Sequence, residues 1–349
     1  MACTADTTRS EAVTVIEGRP GPLRTGARTI RVEPDRQGQR IDNFLITALK
    51  GLPRSRVYQM LRRGEVRVNG GRVKQHYRLQ PGDRLRIPPL IDDTARPVRA
   101  PPEALAARIE AAIIYEDASL LVVNKPGGVA VHGGSGRVHG VIEALRAARP
   151  GERHLELVHR LDRDTSGALL VAKKRSLLRQ LHADLREGRV DKRYLALVRG
   201  LLPIAGTTVR APLKKNTIRS GERVVRAGRD GKPAETAFVP LARCREATLC
   251  EARPTTGRTH QIRVHATEID HPIAGDPKYG NRDFNRAMRD VGLNRMFLHA
   301  SAVEIVSPDT GNRLQIRVPL DQALVSVLHA LGLEPPGTGR SLQRKGRKR

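Results

Sequence analysis

The first clear hydrophobic pattern begins at Arg40. Ile41, Phe44, Leu45, Ala48 and Leu49 recur at three- and four-residue spacings, which predicts an amphipathic helix ended by Gly51-Leu52-Pro53. A second helix is expected with Val57, Met60 and Leu61 on one face, stopped by Gly64. Val66–Val73 then alternates around Asn69-Gly70, a strong hairpin signal, and Pro81-Gly82-Asp83 turns the chain into the alternating Arg84-Leu85-Arg86-Ile87. Further on, strands are expected at 112–115, 120–124, 168–172, 193–198, 247–253, 297–305 and 313–318, and helices at 141–148, 176–187 and 259–269. Strands outnumber helices without regular βαβ alternation, so this larger unit reads as α+β on a mixed, mostly antiparallel sheet.

The intervening composition divides the chain. Residues 1–30 are polar and aperiodic and read as a flexible tail. A small α/β unit over 31–92 is followed by a Pro-rich linker over 93–107, the larger unit over 108–330 and a basic flexible tail over 331–349. The 349 residues carry 63 Lys+Arg against 36 Asp+Glu, a formal charge of +27 that favours a polyanionic partner. Residues 39–88 alone hold twelve of these cations against Asp42, Glu65 and Asp83. No apolar run is long enough for a membrane span, and the N-terminus lacks the apolar stretch of a secretory signal. Cys3, Cys244 and Cys250 form no CxxC pair, which fits a reducing cytoplasm. No heptad or long apolar edge suggests more than a monomer.

The segment from Arg40 to Pro88, with two helices, a hairpin and this charge, resembles an S4 RNA-binding domain. The resemblance makes Arg54, Arg56, Arg62, Arg63, Arg67 and Lys74 expected phosphate contacts, which position a protein on RNA without reading its sequence.

Candidate chemistry concentrates in His159-Arg160-Leu161-Asp162-Arg163-Asp164-Thr165-Ser166-Gly167. As a calcium loop it fails at its twelfth position, which is Lys173 where a bidentate Glu is needed. As a DxDxT phosphatase it fails on spacing, because Thr165 directly follows Asp164. Two readings remain: a surface loop of ion pairs, or a carboxylate, Asp162, kept ionised by neighbouring guanidinium groups as it is desolvated. There is no GxxxxGK[ST] loop, no GxGxxG after a strand and no HExxH, and the His260/His265 pair has one residue too many for that metal motif, with Arg263 between them.

This loop does not stand alone. The stretches at 124–136 (NKPGGVAVHGGSG), 156–174 (ELVHRLDRDTSGALLVAKK), 192–200 (KRYLALVRG), 256–265 (TGRTHQIRVH) and 271–280 (HPIAGDPKYG) together resemble the RluA/RluC family of ribosomal RNA pseudouridine synthases. The resemblance covers nearly all of residues 108–320, and an S4 domain in front is the arrangement it leads one to expect. It implies cleavage of the uridine C1′–N1 bond in 23S rRNA and rejoining through C5, with no metal or other cofactor. It makes Asp162 the essential carboxylate, either attacking C1′ or removing a C2′ proton. Tyr194 becomes the pocket aromatic that stacks on uracil, with a hydroxyl that could assist loss of the C5 proton. Arg263 becomes the partner of Asp162, Arg160 the residue filling the gap left by the flipped base, and Ile262 or Val264 apolar contacts to that base.

Overall fold

The computed structural model describes residues 27–49, 52, 54–89, 100–133, 139–152, 154–217, 223–306 and 311–336. It falls into two units, Met1–Arg99 and Ala100–Arg349. In the first, β1 (Arg28–Arg31), α1 (Ile41–Ala48), α2 (Arg54–Arg63), β2 (Arg67–Val68), β3 (Gly71–Arg72) and β4 (Arg84–Ile87) form two helices and an antiparallel sheet of order β1-β4-β2-β3. The helix periodicity read from the sequence is what buries Ile41, Leu45, Leu49, Val57, Met60 and Leu61 against Leu85 and Ile87. Asn69 (φ 50°) and Gly70 (φ 80°) both adopt the left-handed region that a tight two-residue hairpin requires.

The second unit runs α3 (Glu103–Glu110), β5 (Ile113–Glu116), β6 (Leu120–Lys125), α4 (Val141–Ala148), β7 (Glu156–Leu157), β8 (Ser166–Ala172), α5 (Arg175–Arg186), β9 (Asp191–Arg199) and β10 (Thr207–Val209). It continues through β11 (Leu213–Thr217), β12 (Arg223–Ala227), β13 (Thr236–Arg243), β14 (Ala247–Pro254), α6 (Gln261–Glu268), α7 (Arg282–Asp290), β15 (Leu298–Val306), β16 (Arg313–Arg317) and α8 (Gln322–Ala330). Ten strands form one mixed sheet with the path β10-β13-β14-β9-β15-β8-β6-β5, β16 adding to β15 and β7 to β8. Among the described residues only β15 and β8 run parallel. The protein is therefore α+β on a mostly antiparallel sheet. Strand β8 is buried throughout, which explains its unbroken apolar sequence.

Three boundaries differ from expectation. Residues 103–107, expected as linker, form the first turns of α3, because Ala-rich sequence after Pro101-Pro102 starts a helix that seats Leu105 and Ile109 on the main core. The C-terminal tail does not begin at 331, since Leu333 is buried with Leu324, Val327 and Leu328 of α8. At the other end, β1 begins at Arg28, inside the expected tail. The rest of the expected tails, and residues 93–99 of the expected linker, lie outside the described residues. Strand β13 escaped the pattern because Pro240 interrupts it at a bulge, and α7 because only Phe284 and Met288 are buried on it.

Gly167 fixes how β8 meets β15. Its φ is +104°, and a Cβ there would stand 2.3 Å from the Ala300 carbonyl oxygen. Gly167→Ala is expected to lower stability by more than about 2 kcal/mol, read as a reduced midpoint in denaturant unfolding.

Candidate active site

Asp162 lies in the turn that enters β8, with its side chain 25% exposed. Its two sequence neighbours do not neutralise it. Arg163 donates instead to both oxygens of Asp164, at 2.6 and 2.9 Å, and Arg160 is exposed. The guanidinium that reaches Asp162 comes from α6, where Arg263 Nη1 donates to Oδ2 at 3.1 Å.

Arg263 is itself buried and held. Its Nε and Nη2 donate to Asp276 at 2.7 and 2.8 Å, a two-bond grip that leaves Nη1 directed at Asp162. Asp276 also accepts from the amides of Lys278 and Tyr279, at 2.8 and 3.0 Å. Burial pushes the Asp276 carboxyl up, but Arg263 and these amides outweigh it and hold it below its ordinary value. Burial likewise opposes the Arg263 charge, and the two carboxylates overcome it, so its pKa rises. The ring of Tyr279 lies 5.0 Å from the guanidinium carbon, closing one side.

Helix α6 starts at Gln261 and not at the expected Thr259, because His260 takes a left-handed φ of 56°. That turn brings His260 Nε2 to 3.9 Å from Asp162 and Nδ1 to 2.8 Å from the Tyr279 hydroxyl. The hydroxyl also accepts from the Val225 amide at 2.9 Å. Burial lowers the His260 pKa, favouring the neutral ring.

Tyr194, on β9, packs against the two clusters that flank the site. Burial, then the Asp162 charge, pushes its phenol upward. At neutral pH the phenol therefore keeps its proton. The two apolar contacts implied by resemblance are covered. Ile262 is 7% and Val264 3% exposed, the first packed with Ala196, Val198 and Ile273, the second with Leu213, Val225 and Ala234. Residues two apart on a helix point to different sides, and here each side already has a core to fill.

The loop carrying Asp162 is tied down from below. Lys125, fully buried at the end of β6, donates to the carbonyls of Pro126, Val129 and Arg163, each at 2.9 Å. Burial pushes this amine down to about 7, while the three carbonyls match the three hydrogens of the ammonium form. His159 accepts the Leu170 amide at 3.2 Å through Nε2, and burial pushes its imidazole down to about 4. His299 donates to the Val318 carbonyl through Nε2, so its Nδ1 accepts the Ser166 hydroxyl at 2.9 Å, and Ser166 in turn accepts from Arg295. The residue-level reading missed Asp276, Lys125, His260 and Tyr279. Lys125 had a visible signal, a lone cation closing the apolar run Leu120-Leu121-Val122-Val123.

In the first unit the expected phosphate contacts separate into two groups. Arg56 pairs with Glu65 at 2.9 Å, Arg63 lies 3.9 Å from the same carboxylate, and Arg67 donates to the Gly64 carbonyl at 2.8 Å. Arg62 and Lys74 are exposed, with no hydrogen bond or ion pair among the described residues. The side chain of Arg54 lies outside the described ones.

Residues 119–268 match the family described as RNA pseudouridylate synthase, and residues 39–85 match the S4 domain. The chain belongs to the RNA pseudouridylate synthase family and is an RNA pseudouridine synthase. Among curated relatives, the ribosomal large subunit pseudouridine synthase C of Pasteurella multocida (strain Pm70) is 51% identical over 88% of this chain and 95% of its own length. The Escherichia coli (strain K12) protein of the same name is 52% identical over 87% and 96%. Among solved structures, human RNA pseudouridylate synthase domain containing 4 aligns with a TM-score of 0.56 at 27% identity, covering 67% of this chain and 98% of its own. Human RNA pseudouridylate synthase domain containing 1 aligns at 0.50 and 29%, covering 64% and 95%.

Asp276→Asn is expected to cost about 3 kcal/mol at pH 7, because it leaves Arg263 buried without its counter-charge. The folded-state value of Asp276 is lowered, so this stability is present above the ordinary carboxylate pKa and is lost as pH falls through the folded value. The gap between wild type and variant in denaturant unfolding should therefore close below about pH 4. A second expectation concerns the first unit. Replacing Arg62 and Lys74 together by Gln should weaken RNA binding and flatten the log–log salt dependence by about 1.4–1.8, measured by filter binding.

Proposed function

We propose that this enzyme isomerises specific uridines of the large-subunit (23S) ribosomal RNA to pseudouridine, acting in the cytoplasm as a monomer without metal or cofactor. The observation that carries the reading is the contact of Asp162 with Arg263, in a chain half identical to enzymes named for the ribosomal large subunit. The S4 match supports RNA as the partner, as does the formal charge of +27.

The reaction breaks the C1′–N1 bond, turns the base and forms a C1′–C5 bond; C5 loses a proton and N1 gains one. The target base must leave its stack, at a cost of a few kcal/mol. Arg160, exposed two residues before Asp162, fills the gap that the base leaves. Tyr194 offers the flipped uracil a stacking face worth about 1–3 kcal/mol. Asp162 acts at the ribose, by attack on C1′ or by removal of the C2′ proton to form a glycal; either route uses the carboxylate that Arg263 orients.

The test is a pseudouridine map of 23S rRNA from cells lacking the protein, complemented in turn by wild type and by Asp162→Asn. Sites lost in the null strain should return with wild type only, while purified Asp162→Asn retains RNA binding and releases no tritium from 5-³H-uridine rRNA. Restoration of the sites by Asp162→Asn would remove the aspartate from the mechanism, and an unchanged map in the null strain would remove 23S rRNA as substrate.

A further inference from the structure

One cation beside the pocket has no role in the chemistry above. Lys192 lies two residues before Tyr194 on β9, so both side chains leave the same face of the strand. Its ammonium reaches the loop that precedes α6, where Nζ stands 3.9 Å from the position a Cβ on Gly257 would occupy. Its charge is also felt by His159, in the loop that leads to Asp162. Lys192 is largely enclosed, and burial lowers its pKa. Among the described residues no hydrogen bond or ion pair engages Nζ. Its neighbour Arg193 takes the adjacent acid, Asp191, at 2.8 Å.

An enclosed ammonium without a counter-ion is costly, and fixed protein groups usually relieve that cost. Lys125 shows the alternative in the same unit, with three carbonyls around its nitrogen. Lys192 keeps its donors unused on the strand face that also carries Tyr194. Gly257, moreover, lines a groove with Lys215, Lys232, Arg258 and the Lys214–Asp230 pair, so the ammonium adjoins a groove with net positive charge.

We propose that Lys192 binds a backbone phosphate of the target nucleotide, fixing the flipped uridine between Tyr194 and Asp162. The assignment rests on the reading of that pocket as the reacting site. A phosphate is favoured over a uracil oxygen because it brings the full negative charge that the site lacks, and because Tyr194 on the same strand face already receives the base.

The test uses a 23S rRNA fragment that the wild-type enzyme modifies, with KM, kcat and binding measured between 50 and 200 mM KCl. Lys192→Met keeps the aliphatic stem and removes the charge. It should raise KM about tenfold, make the log–log salt slope shallower by about 0.7–0.9, and melt at or above the wild-type temperature. Lys192→Arg should restore both KM and slope. A Lys192→Met enzyme with the wild-type salt slope overturns the proposal, whether its defect lies in kcat, as a contact to the departing uracil would give, or in melting temperature, as a structural role would give. Turnover by Asp162→Asn bears only on the pocket reading, so the two failures are separable.

Discussion

The geometry of the site depends on one guanidinium shared unequally between two carboxylates. Asp276 takes two nitrogens of Arg263 in a fixed plane and leaves the third for Asp162. A lone arginine on a helix would sample many rotamers, and a lone aspartate in a partly closed cleft would turn toward water. Clamping the arginine first removes both freedoms, because the planar fork then fixes the directions of the Nη1 donors, one of which Asp162 accepts. Tyr279 reinforces the arrangement twice, with its face near the guanidinium and its hydroxyl on His260.

Around that pair, the fold supplies rigidity from elements that carry no chemistry themselves. Lys125 binds the Asp162 loop through the Arg163 carbonyl, and the Ser166–His299 contact fastens the next residues to β15. Gly167 allows the backbones of these two strands to approach more closely than any side chain permits. The Asp162 carboxylate thus sits on a turn whose exit is a fully buried strand, which suits chemistry needing near-fixed distances.

Much of this was legible in the sequence, and the limits were physical. The helices of the first unit and strand β8 followed from apolar periodicity, because burial alone decides those positions. The loop around Asp162 was legible as a cluster of charge, yet composition alone did not give its pairing: the adjacent Arg163 turned to Asp164, and Arg263, named only through the family resemblance, came from 101 positions along the chain. Local composition cannot report a contact of that separation. The same holds for Asp276, which reads as one more turn aspartate until Arg263 is placed beside it. Ile262 and Val264 were legible as apolar, and the structure uses that hydrophobicity in two cores.

The separation of Asp162 from Arg263 and Asp276 along the chain also bears on biosynthesis. A ribosome delivers the S4 unit first, then the turn bearing the carboxylate, then the arginine, and after it the clamp for that arginine. The first unit therefore emerges well before the pocket can be finished. An organised centre therefore arrives late, only after the turn near position 276 and then β15, which pairs with β8 and β9, have emerged.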